Sequence, residues 1–436
     1  MRGVPDFLSA RNGGIFYGWT IAAAAFFGLI LSMGARSAFG PFLLPMASGT
    51  GLSRTTLSAG VAVSMLVFAL SSPIVGKLAD AWGCRRLLMG GTALLALALY
   101  NTGRATTSGE FFFWYGLVAA IGFGATGQVT FQALLNQWFV QRRGAVLSLL
   151  SAGAMGGIGL MTPVSALLID FFGWRNAYAF LAVAVFLVIF PAALWIVRDR
   201  PEEIGLRPDG DPVEANPAAP MRGGGKPVER VGLADACRTK SFWLLAAGYF
   251  TCGFSMNLLS THGVPMLVDH GFSSMEASSA LGILGLVGIL GSITLGVASD
   301  YLGRKNMLAL IYLVRAAGFL LLLFAETPLQ LYLLGGLAGL AWVGSAAMTS
   351  ALIADLYGRH STGTIFGWVY FVHQIGAAAS AYLGGWAYDE LGTYSIAFVI
   401  TAGLLVFASL LSFLIPESGS GRPGFAPAWE GARDLN

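Results

Sequence analysis

GKLADAWGCRR at residues 76–86 and GVASDYLGRKN at residues 296–306 are one phrase written twice. Gly76, Asp80 and Gly83 align with Gly296, Asp300 and Gly303 at a constant offset of 220. The offset also holds upstream. LPM at Leu44–Met46 answers VPM at Val264–Met266, and GLS at Gly51–Ser53 answers GFS at Gly271–Ser273. An internal repeat of this length means two copies of one structural unit. In a membrane-embedded chain, repeated halves put a binding site at their interface.

Composition places the chain in a membrane. Of its 436 residues, 56% are hydrophobic and only 11% charged, against about 25% charged in soluble domains. Mean hydropathy is +0.71. The 59 glycines suit close helix packing in a bilayer. Cys84, Cys237 and Cys252 have no metal-binding or redox spacing. A net charge of +3 is too small to argue for nucleic acid. No cleavable leader is expected, because the first long apolar run, from about Ile15, is long enough to span.

A spanning helix needs about 20 largely apolar residues. Runs between charged or turn-rich breaks predict twelve, at 17–44, 56–76, 86–104, 111–136, 144–168, 175–197, 241–265, 276–297, 306–325, 328–353, 363–386 and 392–415. The expected architecture is all-α and integral to the membrane. A six-helix bundle covers 1–197 and another covers 241–415, with a polar loop at 198–240 between them and a tail at 416–436. With the N-terminus inside, twenty of the 25 Lys and Arg fall on the inner side and three (Arg54, Arg104, Arg175) on the outer side. This bias predicts cytoplasmic termini and a cytoplasmic central loop. Cys84 and Cys237 then share the inner side, which disfavours a disulfide.

Both copies of the phrase are inner loops, between spans 2 and 3 and between spans 8 and 9. Glycines permit a tight turn, and the Asp can cap a neighbouring helix N-terminus. This duplicated loop among twelve spans resembles the signature of the major facilitator superfamily, over essentially the whole chain. The resemblance implies the two-bundle major facilitator fold. It also implies that Asp80, Arg85, Asp300, Arg304 and Arg142 latch the cytoplasmic side when the protein opens outward.

Asn12-Gly13-Gly14 with Tyr17-Gly18-Trp19 precedes span 1, and Trp138-Phe139-Val140-Gln141-Arg142-Arg143-Gly144 precedes span 5. Both resemble the monocarboxylate transporter family, and His373-Gln374 in span 11 resembles its bacterial relatives. Asn12 stands where the family pattern has an acidic residue. Span 8, ASSALGILGLVGILGSITLG, lacks the Asp and Arg usual in lactate carriers. The resemblance therefore implies the carboxylate class rather than lactate itself.

Ionisable residues inside a bilayer are costly and mark function. Arg36, His262, Arg315 and His373 lie within spans, and no Asp or Glu sits mid-span. A cavity that is cationic or neutral suits an anion. Arg36, in the outer half of span 1, is a carboxylate partner or a snorkelling interfacial Arg. The family has a Lys near this position, which implies substrate contact or coupling.

His373 is a proton carrier or a neutral His bonded to a neighbouring helix. Tyr370 shares its face. His262, near the outer end of span 7, is a gating, substrate-binding or coupling group or an interfacial His. Arg315 reads as a structural charge. Gln128, Asn257 and Gln374 are further candidate substrate contacts, with some of the polar span residues serving as helix–helix bonds.

The expected function is secondary transport of a small organic anion, most simply a monocarboxylate, by alternating access with proton symport. Carboxylate exchange and export of drugs or metabolites are the alternatives. Span 5 lacks the Gly-Pro-x-x-Gly-Gly usual in multidrug antiporters. No metal or cofactor site and no enzymatic constellation is expected. The expected setting is a monomer in the cell (inner or plasma) membrane.

Overall fold

The computed structural model describes residues 16–139, 142–208, 232–342, 344–357 and 362–416. Among these residues the chain is helical, without strands. The N-terminal half opens with α1 (Tyr17–Ser37) and α2 (Phe39–Thr50), which together make the first span. They part at Ala38. Pro41 has no N–H to return to the Ser37 carbonyl, and its ring crowds that oxygen.

The next helices are α3 (Arg54–Trp82) and α4 (Cys84–Thr102). The fourth span is built from α5 (Ser108–Phe111), a π-helical stretch at Phe112–Ala119, α6 (Ala120–Ala125) and α7 (Gln128–Trp138). α8 (Arg143–Pro191) runs on for 49 residues, but Gly173 (φ 76°, ψ 157°) leaves helical geometry and turns the chain. It therefore covers the fifth and sixth spans.

After α9 (Leu233–Cys237), the C-terminal half comprises α10 (Lys240–Asp269), α11 (Ser274–Leu302) and α12 (Arg304–Leu322). A broken pair follows, α13 (Pro328–Leu340) and α14 (Gly344–Tyr357), and then α15 (Thr362–Leu391) and α16 (Ser395–Phe413). Among the described residues, nine helices are long and apolar enough to cross a membrane. One of these is the 52-residue run Ala145–Ile196, whose length serves two spans. The remaining expected spans coincide with α4 and α15. Leu70, Phe171, Phe324, Leu333 and Phe407 stand exposed, as on a surface that meets lipid.

The repeated phrase makes the same turn twice. Gly83 lies at φ 87°, ψ 149° and Gly303 at φ 82°, ψ 142°. A side chain would strain both positions. Each glycine ends one long helix and starts the next without an intervening loop.

Within the halves, α1 packs on α8, α10 on α15 and α12 on α16. Between the halves, α3 meets α15, α8 meets α11 and α2 meets α10. The end of this interface carrying Arg54 is sealed by polar bonds. Arg54, in the first turn of α3, donates to Asp269 through Nη1 at 2.5 Å and through Nη2 at 3.2 Å. It also donates to the Tyr394 hydroxyl at 3.0 Å and lies 3.4 Å from the centre of the Tyr388 ring. The Thr55 N–H donates to Asp389 at 2.8 Å. On the predicted topology this is the outer end.

Candidate functional site

Between the two halves lies a cavity of 180 Å³. α1 and α2 contribute Met33, Arg36 and Phe39, α10 contributes Gly253 and Asn257, and α15 contributes Tyr370, His373 and Gln374. Gln128 from α7 and Trp342 from the break between α13 and α14 add to its polar and aromatic lining. An apolar cavity of about 150 Å³ takes a benzene ring. This one therefore suits a ligand of a few carbons.

Arg36 stands two residues before the break between α1 and α2, where Pro41 bends the chain. Its guanidinium donates to the Met65 sulfur at 2.8 Å and lies 3.9 Å from the centre of the Phe68 ring. The Tyr370 hydroxyl is close enough to interact with it. Among the described residues no carboxylate pairs with it. A guanidinium held by a thioether and a ring keeps most of its donors free for an anion.

On the opposite wall α15 presents an aromatic stack. The Tyr370 and His373 rings lie 5.4 Å apart and within 8° of parallel, and Tyr249 of α10 lies 4.7 Å from His373. Gly253 permits this contact, since a Cβ there would overlap the His373 carbonyl oxygen. His373 Nδ1 is 3.0 Å from Gln374 Oε1. Gln374 is 2% exposed, and its Nε2 has no hydrogen-bond partner among the described residues. A buried unpaired donor at a cavity wall is costly unless a ligand satisfies it. Asn257 donates to the Ala377 carbonyl at 2.7 Å, which joins α10 to α15.

The structure thus brings Arg36, Gln128, Asn257, Tyr370, His373 and Gln374 around one space, with Arg36 and His373 supplied by different halves. His262 stands apart. It is fully buried, its Nε2 lies 2.8 Å from the Ala381 carbonyl, and Tyr394 of the Arg54 seal packs 5.2 Å away.

At the other end, Arg85 reaches the Ala193 and Leu194 carbonyls at 3.2 and 2.5 Å, and its N–H donates to Asp199 at 2.8 Å. Arg304 pairs with Asp355 and donates to Ala351 O at 3.3 Å. Arg142 is exposed. The side chains of Asp80 and Asp300 lie outside the described residues.

Arg315 is 0% exposed, next to the cavity wall formed by Trp342. It donates to the Ala341 and Trp342 carbonyls at 2.9 and 2.6 Å, closing the end of α13, and to Ser255, Ser345 and the Cys252 sulfur. Tyr249, Cys252 and Trp342 were not singled out from sequence. A stripe at i, i+4 and i+8 through Tyr249, Gly253 and Asn257 was the available signal. No disulfide joins Cys84, Cys237 or Cys252 among the described residues.

The sequence model of the Major Facilitator Superfamily matches residues 25–296 and 245–435. The chain belongs to the Major Facilitator Superfamily, and is a multi-pass membrane transporter. It is 26% identical over 382 residues to YcxA, an uncharacterized MFS-type transporter of Bacillus subtilis (strain 168), covering 86% of this chain and 88% of that one. It is 25% identical to monocarboxylate transporter 12-B of Danio rerio, covering 79% and 76%. Among solved structures, a bacterial homolog of the human lysosomal transporter Spinster, inward-facing and unoccupied, superposes with a TM-score of 0.71. That match has 17% identity over 92% of this chain and 98% of the other, and shows a shared fold.

Proposed function

We propose that this protein carries a small organic anion, a monocarboxylate, across the membrane by alternating access with proton symport. The observation that carries this reading is Arg36, a cation in the cavity between the halves with no carboxylate partner among the described residues. A carboxylate there would take the Arg36 fork from the N-terminal half. From the C-terminal half it would take the unpaired Gln374 Nε2 and the Tyr370 hydroxyl. Anchoring one ligand from both halves couples its binding to their relative motion. The likeness to monocarboxylate transporters supports the substrate class. His373, stacked on Tyr370 at the same wall, is the proton carrier.

The test is uptake of labelled mono- and dicarboxylates into proteoliposomes with and without a pH gradient. Short monocarboxylates should accumulate when the outside is acidic. Accumulation should be lost in both Arg36→Ala and His373→Ala. If both variants transport as well as the parent, the site is wrong. If no monocarboxylate enters under any gradient, the substrate class is wrong.

A further inference from the structure

Two residues of the cavity wall carry buried donors without partners among the described residues, Gln374 at Nε2 and Trp342 at Nε1. On the transport reading the substrate's carboxylate takes the first, and nothing takes the second. Trp342 is 2% exposed. An indole N–H can only donate, so it cannot be satisfied by turning to act as an acceptor. Buried Trp N–H groups usually find a partner, and a buried donor left bare keeps the full cost of its desolvation.

The main chain holds this indole in place. Trp342 lies in the break between α13 and α14, where its backbone N–H donates to the Gly339 carbonyl at 3.0 Å. Arg315 of α12 donates through Nη2 to the Trp342 carbonyl at 2.6 Å and to the Ala341 carbonyl at 2.9 Å. The same guanidinium lies 5.3 Å from the centre of the Trp342 ring. Ser255 of α10 and Ser345 of α14 fix Arg315 in turn, at 3.2 and 3.3 Å. The ring is therefore presented to the cavity from a pinned backbone, where α10, α12 and α14 meet.

Arg36 and Trp342 are separate points of contact. Arg36 is held by Met65 and Phe68 in the N-terminal half. Trp342 is held by Arg315 in the C-terminal half, and the two shells share no residue. One ligand meets both only by offering two different groups. The 180 Å³ between the halves accommodates a short carbon chain that joins them.

We propose that the substrate is a monocarboxylate with a second acceptor, a carbonyl or hydroxyl oxygen, along its chain, and that Trp342 Nε1 donates to that oxygen. Trp342 is the specificity-determining residue, and Arg315 is the residue that positions it. The proposal rests on the transport reading above, in which Arg36 takes the carboxylate.

Titration calorimetry of the purified full chain compares pentanoate with 4-oxopentanoate and hexanoate with 5-oxohexanoate. Within each pair the acids share charge and chain length and differ in one carbonyl. At least one oxo acid should bind the parent about tenfold tighter than its plain counterpart. Trp342→Phe keeps an aromatic ring and loses the N–H, so it should abolish that preference. Equal binding within both pairs overturns the proposal and leaves the carboxylate site standing. A preference that survives in Trp342→Phe also overturns it, because the oxygen is then met elsewhere. If none of the acids binds, the transport reading fails and the proposal with it. The comparison within the parent decides even where the Phe variant does not fold.

Discussion

On the proposed reading Arg36 is the residue on which function turns, because its geometry leaves its charge unspent. Met65 and Phe68 position the guanidinium without neutralising it. A hydrogen bond to a charged group is worth about 1.5–3 kcal/mol, or roughly 10- to 150-fold in affinity. Arg36→Gln should weaken substrate binding by that factor. Arg36→Lys should lose less, since it keeps the charge but not the planar fork. Titration of each purified variant with the transported anion checks both. Arg36 was legible in sequence because a charge in an apolar span has few structural excuses. Cys252 was not, because a cysteine looks like any small apolar residue until Arg315 is seen beside it.

Among the helices, the α10–α15 contact and the Arg54 seal carry the strongest predictions. Gly253 lies under the His373 carbonyl, so Gly253→Ala forces α10 away from α15. Overpacking of this kind costs about 1–3 kcal/mol. A lowered melting temperature together with reduced uptake would report it. At the end carrying Arg54, the partner Asp269 comes from the other half. The pair is partly exposed, at 14% and 27%, and its worth is discounted to about 1 kcal/mol. Arg54→Gln should shift the balance toward the form open at that end by roughly fivefold. Distances between spin labels at the ends of α3 and α10 measure the shift, and exchanging the two charges should restore it.

Most helix positions were legible from runs of apolar residues, and the Gly83 and Gly303 turns from the repeat itself. The breaks in spans 4 and 10 were not. The first is held by Ser32 and Thr126 at 2.8 Å, whereas Arg315 caps the second. At each break one partner, Ser32 or Arg315, comes from a distant helix, so no local pattern announces it. The Arg54 seal was hidden for the same reason: Arg54 and Asp269 are 215 residues apart.

At the scale of the whole molecule, two homologous bundles enclose a cavity whose chemistry is not symmetric. Arg36 aligns with Met256 and His262 with Phe42, so the repeat describes the machine and its failures describe the ligand. The bundles meet along α3–α15, α8–α11 and α2–α10, and on the proposed reading the ligand's contacts are divided between them. Binding of a charged ligand should therefore stabilise the whole fold, by about 2.7 kcal/mol at a hundredfold excess over Kd.

The central claim is that the cavity recognises negative charge through Arg36. The most direct measurement compares thermal stabilisation by a transported monocarboxylate with that by its uncharged amide, in the parent and in Arg36→Gln. The account predicts stabilisation of the parent by the carboxylate alone, and none of the variant by either ligand. Equal stabilisation by the amide, or full stabilisation of Arg36→Gln by the carboxylate, would contradict it.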